Sequence, residues 1–216
     1  MSMSRRSDEV KVARTYNAAS RREKARQHRE ATLAVARDQF LADGYVATTV
    51  ESIATTAGVS PATIYKTYGG KSGLVRSLCQ DALLGDDPTP AEDRSDALRS
   101  NTNPRDVIAG WGALRAEVAP RIAPLLLLLR DAAREDAEAA ALYDELDRAR
   151  VRRMTYNATY LVKGGHVRAG VSAKEARDVL WLSSAPELYD LLVNRRRWSI
   201  ARYTAFVDTM VAGAVL

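Results

Sequence analysis

The sequence predicts an all-α protein of about nine helices, and three observations support this prediction. Apolar residues recur at steps of three and four along almost the whole chain, the spacing that places them on one face of a helix. No run of alternating β-branched residues closed by a tight turn marks a hairpin. Capping residues and glycines fall at the ends of the periodic segments, where helices are expected to start and stop.

The first helix is predicted to open near Ser20, which has capping-box spacing to Glu23, and to end at Gly44. Its inner stripe is expected to consist of Leu33, Ala36 and Phe40. A second short helix is predicted to end at Gly58. Four residues before or in its first turn could cap it: Thr48, Thr49, Glu51 and Ser52. Of these we expect Glu51 to be the cap.

Ser60 caps the third helix, with Pro61 at its first position, where a missing N–H costs nothing. Gly69 and Gly70 close this helix, and a fourth is predicted from Lys71 to about Leu84. Residues of about 85–103 are acidic and rich in Pro, Ser and Asn, which predicts a loop.

Helical periodicity resumes at Pro104 and continues to the end of the chain. Pro120 and Pro124 predict a new helix start that leads into an apolar stretch buried on most sides, Leu125–Leu129. Pro186 predicts a kink or break near residues 182–186, and the last helix is expected from about Ser199.

Composition limits the class of protein. A chain of 216 residues that is 46% hydrophobic and 27% charged is expected to fold into one large or two small packed domains. Its longest apolar run has five residues, whereas a membrane helix needs roughly 20. The polar, basic N-terminus does not resemble a signal peptide, so we expect a cytoplasmic protein. One cysteine and two histidines are too few for a disulfide framework or a structural zinc site, and no cofactor is expected.

Positive charge is concentrated near the N-terminus. Residues 1–84 hold 13 Lys and Arg against 8 Asp and Glu, whereas residues 85–216 hold 19 of each. Residues 1–29 alone hold nine basic and three acidic side chains. Such a field attracts nucleic acid or anionic lipid, although a solvated tail is equally compatible with it.

The segment from Gly44 to Leu74 carries the functional signal. Two short helices joined by a tight turn that contains Gly58 form the helix-turn-helix pattern. Ala54 is small where the helices cross, and Gly58 suits a backbone conformation that a Cβ would penalise. This spacing favours DNA binding over a plain helical hairpin with a tight turn.

Residues of about 25–75 resemble the DNA-binding domain of the TetR family of bacterial transcriptional regulators. The resemblance rests on Gly58-Val59-Ser60, Thr63-Ile64-Tyr65, Tyr68, Lys71 and Leu74. The rest of the chain resembles the family in its length and helical character. The resemblance implies a homodimer whose N-terminal heads bind a palindromic operator of double-stranded DNA. It also implies that a small-molecule effector bound to the larger helical domain releases the DNA.

The resemblance places the third helix in the major groove. The residues that it brings to base edges are Ser60, Pro61, Ala62, Thr63 and Lys66. It assigns phosphate contacts to Thr49 and Tyr65 and places Lys71 near the DNA backbone. Since Pro61 and Ala62 cannot hydrogen-bond through their side chains, base reading is expected to depend on Lys66 and on methyl contacts.

The predicted domains are a basic, flexible extension over 1–20, a helix-turn-helix domain over 21–70 and a helical ligand-binding and dimerisation domain over 71–216. The extension contains Arg5, Arg6, Lys11 and Arg14, and it departs from the minimal family pattern. It could act as a minor-groove arm or as a general phosphate contact, or it could be a tail that is disordered in its free state. In either case it is expected to steepen the salt dependence of DNA binding.

The helical domain offers candidates for a ligand site and for an interface. Large apolar side chains could enclose an apolar ligand, although such stripes are more often core; they are Trp111, Leu125, Leu128, Met154, Tyr160 and Trp181. The last two long helices are predicted to form the dimer interface as half of a symmetric four-helix bundle. Its candidates are Leu188, Leu191, Leu192, Tyr203, Val207 and Met210.

No catalytic motif is found: the sequence has no Gly-rich phosphate loop, no HExxH and no nucleophile elbow, so an enzyme is not expected. The predicted function is a ligand-responsive repressor that acts on operator DNA as a homodimer, without a membrane. The alternative is a sequence-tolerant DNA-binding protein without effector control.

Overall fold

The computed structural model describes the backbone of residues 3–85 and 87–216 and the side chains of residues 23–85 and 87–216. Its helices are α1 Met3–Asp43, α2 Val50–Ala57, α3 Pro61–Tyr68, α4 Lys71–Leu84, α5 Ala91–Ala97, α6 Pro104–Ala132, α7 Ala137–Lys163, α8 Ala173–Ser183, α9 Pro186–Tyr189 and α10 Ile200–Val215. A 3₁₀ turn, Leu98–Ser100, follows α5, and a π-helical turn, Asp190–Arg195, follows α9. Within these ranges no strand occurs, which confirms the all-α prediction.

Helices α2 and α3 begin and end where the sequence predicts. Thr49 Oγ accepts the backbone N–H of Ser52 at the start of α2, and Ser60 Oγ accepts that of Thr63 at the start of α3. Gly58 separates the two helices in the left-handed conformation, with φ of 68°. These signals act within four residues, so the sequence alone determines them. The cap of α2 is Thr49 and not Glu51, which lies exposed in its first turn.

Helix α1 begins well before the predicted start at Ser20. Its backbone is helical from Met3, so Ser20 lies inside the helix and does not cap it. The chain contains no glycine or proline before Gly44, and therefore nothing in this stretch interrupts a helix. The predicted inner stripe of this helix is buried, as expected.

Helix α6 continues through Pro120 and Pro124, where the sequence predicts a new start. Each proline removes one backbone N–H donor from the helix. However, α6 packs against α4, α7, α9 and α10, and it buries Leu125, Leu126 and Leu129. The prediction was wrong because this packing outweighs the missing hydrogen bonds.

The predicted loop over 85–103 is partly helical. Helix α5 lies within it and is held against α6 by two contacts. Trp111 Nε1 donates to the Ser95 carbonyl at 3.2 Å, and Arg94 forms a bidentate pair with Glu117 at 2.7 and 2.9 Å. These long-range contacts do not show in the local sequence.

The break predicted near Pro186 is confirmed, since α8 ends at Ser183.

Two apolar clusters form the core. The first joins the N-terminal head, α1–α3, to the rest of the chain, because it combines Phe40, Ile53 and Ile64 with Leu129 and Leu142. The second lies among α6, α7, α8 and α10. Helix α4 contributes to the first cluster along most of its length, and it is therefore the packed connection between head and body.

Among the described helices, none combines the length and the apolar character that a membrane-spanning helix needs.

Candidate nucleic-acid interface and cavity

Helix α3 is anchored on one side and exposed on the other. Ile64 is fully buried and packs in the same cluster as Ile53 and Ala54 of α2. The residues predicted to face DNA bases are all exposed, together with Tyr65: Ser60, Pro61, Ala62, Thr63 and Lys66. The structure therefore places them on one free surface at the N-terminal end and outer side of α3.

Hydroxyl groups surround this surface. The Ser60 and Thr63 hydroxyls lie 2.8 Å apart and share one hydrogen bond, so one of their two protons stays available to donate. Thr49 is exposed, and its oxygen accepts from Ser52 N–H at 3.0 Å while its own proton can donate outward. The Tyr65 side chain is 52% exposed. Such donors suit phosphate oxygens, which accept hydrogen bonds.

Lys71 lies at the start of α4, where the resemblance places it, and is half-buried. Its Nζ donates to the Tyr45 carbonyl at 3.1 Å and lies 4.6 Å from the centre of the Tyr45 ring. The ammonium group thus ties the start of α4 to the segment after α1. Lys71 therefore stabilises the head, and its contact with the DNA backbone stays a prediction. The arginines and lysine of the extension lie outside the residues whose side chains are described, so their DNA contacts remain a prediction.

A cavity of about 240 Å³ lies in the body. One face of α6 and one face of α7 form its main walls, each with residues spaced by three and four positions. From α6 these are Trp111, Leu114, Arg115, Val118, Ala119, Ile122 and Leu126, and from α7 Leu146, Ala149, Arg150, Arg153, Met154 and Asn157. Helix α4 adds Leu83, α5 adds Ala91, Glu92 and Ser95, and the end of α8 adds Leu180, Ser183 and Ser184. The cavity is thus mainly apolar, as sites for small organic molecules usually are.

Two of the six predicted ligand contacts, Trp111 and Met154, line this cavity. Leu125 and Leu128 instead belong to the core between head and body. Tyr160 donates its hydroxyl to the Asn101 carbonyl at 3.0 Å, and Trp181 donates Nε1 to Asp147 at 3.0 Å. These four residues hold the walls together rather than face the cavity.

Sequence reasoning missed the polar residues of the cavity wall. Three arginines line it, and each is paired with a carboxylate: Arg115 with Asp208 at 3.1 Å, Arg150 with Asp147 at 2.6 Å, and Arg153 with Asp96. Burial raises the pKa of Asp208, an effect that Arg115 opposes. The available signal was that Arg150, Arg153 and Asn157 share the helical face of Leu146 and Met154 on α7. Within the described residues, no group of side chains could hold a metal ion.

The last helices expose an apolar patch, which consists of Leu191, Trp198 and Phe206. Leu191 and Phe206 are 50% and 44% exposed, and the Phe206 ring meets the Trp198 ring edge-on at 5.4 Å. Leu188, Leu192 and Met210 are half-buried. Tyr203 and Val207, which the sequence predicts for the interface, are buried in the core of the chain itself and are not available to a partner. Phe206 lies on the exposed side of α10, whereas the side that carries Tyr203 and Val207 packs inward.

A row of small residues runs beside this patch along α10. Ala201, Ala205, Thr209 and Gly213 follow one another at four-residue steps, and all four are exposed. The Thr209 hydroxyl donates to the Ala205 carbonyl, so it needs no other partner. Small side chains in such a row allow the backbone of another helix to approach closely.

Comparison with known protein families supports the helix-turn-helix motif of α2 and α3. Residues 33–78 match the family described as "Bacterial regulatory proteins, tetR family", a family of transcriptional regulators and not of enzymes. This segment runs from α1 to α4 and includes the whole helix-turn-helix. No curated protein sequence matches the chain.

Solved structures share the fold of almost the whole chain. SmeT in complex with triclosan has a TM-score of 0.70 and 19% identity, over 88% of this chain and 92% of that chain. NalD, the secondary repressor of the MexAB-OprM multidrug efflux pump in Pseudomonas aeruginosa, has a TM-score of 0.69 and 18% identity, over 90% and 98%. The transcriptional regulator FadR from Bacillus subtilis, in complex with stearoyl-CoA, has a TM-score of 0.66 and 17% identity, over 87% and 99%. These likenesses confirm the expected fold: an N-terminal helix-turn-helix domain and a larger helical domain.

Proposed function

We propose that this chain, which carries the DNA-binding domain and the fold of the tetR family, is a ligand-responsive transcriptional repressor. It binds a palindromic operator as a homodimer in the cytoplasm, and a small molecule in the body cavity releases the DNA. The single observation that carries the proposal is the exposed surface of α3, fixed in place by the buried Ile64.

The chemistry of the α3 surface supports DNA as the partner. Lys66 can donate to guanine O6 and N7 in the major groove, and the methyl groups of Ala62 and Thr63 can contact thymine. Thr49 and Tyr65 supply hydroxyl donors for phosphates at its border. Phosphate contacts would fix the register, while Lys66 would read the sequence.

Helix α4 supports a coupling between cavity and head. Leu83, near its C-terminal end, lines the cavity, whereas Leu74 near its start is fully buried in the core that includes Ile64. Gly85, which follows α4, lies beside the Arg121 guanidinium of α6. A ligand that moves α6 or Leu83 would therefore shift α4 and, with it, the two recognition helices of a dimer. Binding of the ligand would then lower the affinity for the operator, and binding of the operator would lower the affinity for the ligand by the same factor, because the coupling free energy between two sites is reciprocal.

The apolar patch and the row of small residues on α10 support a homodimer. Isologous association would place α10 of one protomer against α10 or the π-helical turn of the other. The two α3 helices could then enter major grooves one helical turn apart, about 34–36 Å.

Selection of DNA duplexes from a random pool tests the proposal. We expect the purified full-length protein to enrich a palindrome whose half-sites lie about one turn apart, because two symmetric heads bind together. The measurement is the sequence of the enriched pool, followed by the affinity for that duplex and for a scrambled duplex at one salt concentration. Equal affinity for the two duplexes would instead favour the sequence-tolerant DNA-binding protein.

Removal of residues 1–22 tests the role of the basic extension. Six Lys or Arg and two Asp or Glu lie in this segment. If its cations bind phosphates, the slope of log affinity against log salt should become shallower by about 0.9 for each phosphate that is no longer neutralised. We expect a change of at least about 2 in this slope, while the ratio of the affinity for the selected palindrome to that for scrambled DNA stays the same.

A full-length variant with the six basic residues replaced by Gln separates the effect of charge from that of chain length. An unchanged slope in both proteins would exclude phosphate binding by the extension.

A further inference from the structure

Asn157 of α7 is a buried amide with a donor that the fold leaves unused. The residue is 3% exposed and lines the cavity. Its Oδ1 accepts from Arg99 Nη2 at 2.9 Å. Because arginine can only donate, this bond fixes which end of the amide is oxygen, and Nδ2 must point the other way. Among the described residues, no acceptor receives a hydrogen bond from Nδ2.

Asn157 Nδ2 is not one of the fully buried side-chain atoms that lack a partner, so it stays accessible from the cavity. A ligand that fills the cavity without offering an acceptor would cover this donor and leave it unpaired, which is costly. The Asn157 amide is also rigidly held, since Arg99 is fixed in turn by Asp96 at 3.0 Å. The neighbouring Arg153 is engaged by the Glu92 carbonyl at 2.8 Å and by Asp96. The wall therefore presents a fixed N–H donor from Asn157 to the cavity.

The remaining walls define the rest of the occupant. Most of the other lining residues are apolar, among them Leu83, Leu114, Val118, Ile122 and Leu146. Asp96 pairs with both Arg99 and Arg153, and Glu92 also lines the cavity. The charges at the wall therefore balance, four arginines against four carboxylates, so an ionic ligand would find no net opposite charge to offset its desolvation; they are Arg99, Arg115, Arg150 and Arg153 against Glu92, Asp96, Asp147 and Asp208.

We propose that the cavity binds an uncharged, largely apolar molecule with one hydrogen-bond acceptor, such as a ketone, ester or ether oxygen, which accepts from Asn157 Nδ2. This inference rests on the proposed function, because it names the class of effector for the same cavity. Asn157 is then the residue that separates molecules with an acceptor from hydrocarbons of the same shape.

Three naphthalenes of matched shape test the inference on the full-length protein by calorimetry. They are 2-acetylnaphthalene, which has a carbonyl, 2-isopropenylnaphthalene, which has a CH₂ in place of that oxygen, and 1-(2-naphthyl)ethylamine, which is a cation. We expect the ketone to bind about tenfold more tightly than the alkene, because the alkene leaves the buried Asn157 donor unpaired. The cation should bind most weakly.

Two variants locate the preference. Asn157→Asp keeps the oxygen for Arg99 and removes the donor, and Asn157→Leu is a neutral replacement of similar size. In both we expect the ratio of ketone to alkene affinity to fall to about one or below, with alkene affinity within about threefold of the original protein. A preference that persists in both variants, or equal binding of ketone and alkene to the original protein, would overturn the inference.

The outcomes also separate this inference from the proposed function. If the alkene binds as well as the ketone and releases operator DNA, the function stands and the role of Asn157 is wrong. If no probe binds although the DNA selection yields a palindrome, both the inference and the ligand response fail. If the selection yields no palindrome but Asn157 discriminates the probes, the inference stands and the operator function fails.

Discussion

Replacement of Leu191 and Phe206 together by Asp should convert the protein to a monomer and lower its affinity for the selected palindrome by about 10²- to 10⁴-fold. Both side chains are about half exposed and belong to the apolar patch, so the change leaves the core of the chain intact. Burying a carboxylate in an apolar interface is costly, and the two-fold axis would bring two copies of each charge together. Sedimentation gives the mass, and fluorescence anisotropy gives the affinity.

Tyr156→Asp provides the matched control. Tyr156 is 66% exposed on α7, outside the proposed interface, so the same type of change should leave both the mass and the operator affinity unchanged. Both proteins should keep their helical circular dichroism. A double variant that remains dimeric would place the interface elsewhere, whereas a monomer with full operator affinity would refute the binding of the palindrome by two paired heads.

The features that the sequence predicted correctly are those set by neighbouring residues. The turn between α2 and α3 depends on Thr49, Gly58 and Ser60, each of which acts on backbone groups no more than four positions away. The break before Pro186 is also local, because proline cannot continue the hydrogen-bond pattern of α8. This is why the ends of α2 and α3 could be predicted, whereas the contacts of their exposed residues with DNA stay a prediction.

The features that the sequence did not predict depend on distant residues. The hydrogen bond from Lys71 Nζ to the Tyr45 carbonyl joins residues 26 positions apart. Pro120 predicted a break because its missing N–H is visible in the sequence, whereas the packing that compensates for it is not. A helix face that lines a cavity also has the same apolar spacing as one that packs in a core. Trp111 and Leu125 were therefore equivalent in the sequence, although one lines the cavity and the other does not.

Replacement of Lys66 by Ala should lower affinity for the selected palindrome by about 10- to 100-fold, because a side chain that reads a base is worth about 1–3 kcal/mol. Lys66 is exposed near the end of α3 and is the only lysine or arginine of that helix, so its removal should leave folding unchanged. Affinity for scrambled DNA should fall much less, because the phosphate contacts remain. Anisotropy with the two duplexes at one salt concentration measures both effects.

Lys174→Ala is the matched control for Lys66→Ala, because Lys174 is also an exposed helical lysine but lies at the start of α8 in the body. It removes the same charge and should change neither affinity by more than about twofold. The two variants therefore distinguish base reading from the general field of the protein. If Lys66→Ala weakens both duplexes equally, Lys66 contacts phosphate, and specificity must come from the methyl groups of Ala62 and Thr63. If it weakens neither, α3 does not face the bases in the way that its exposed surface predicts.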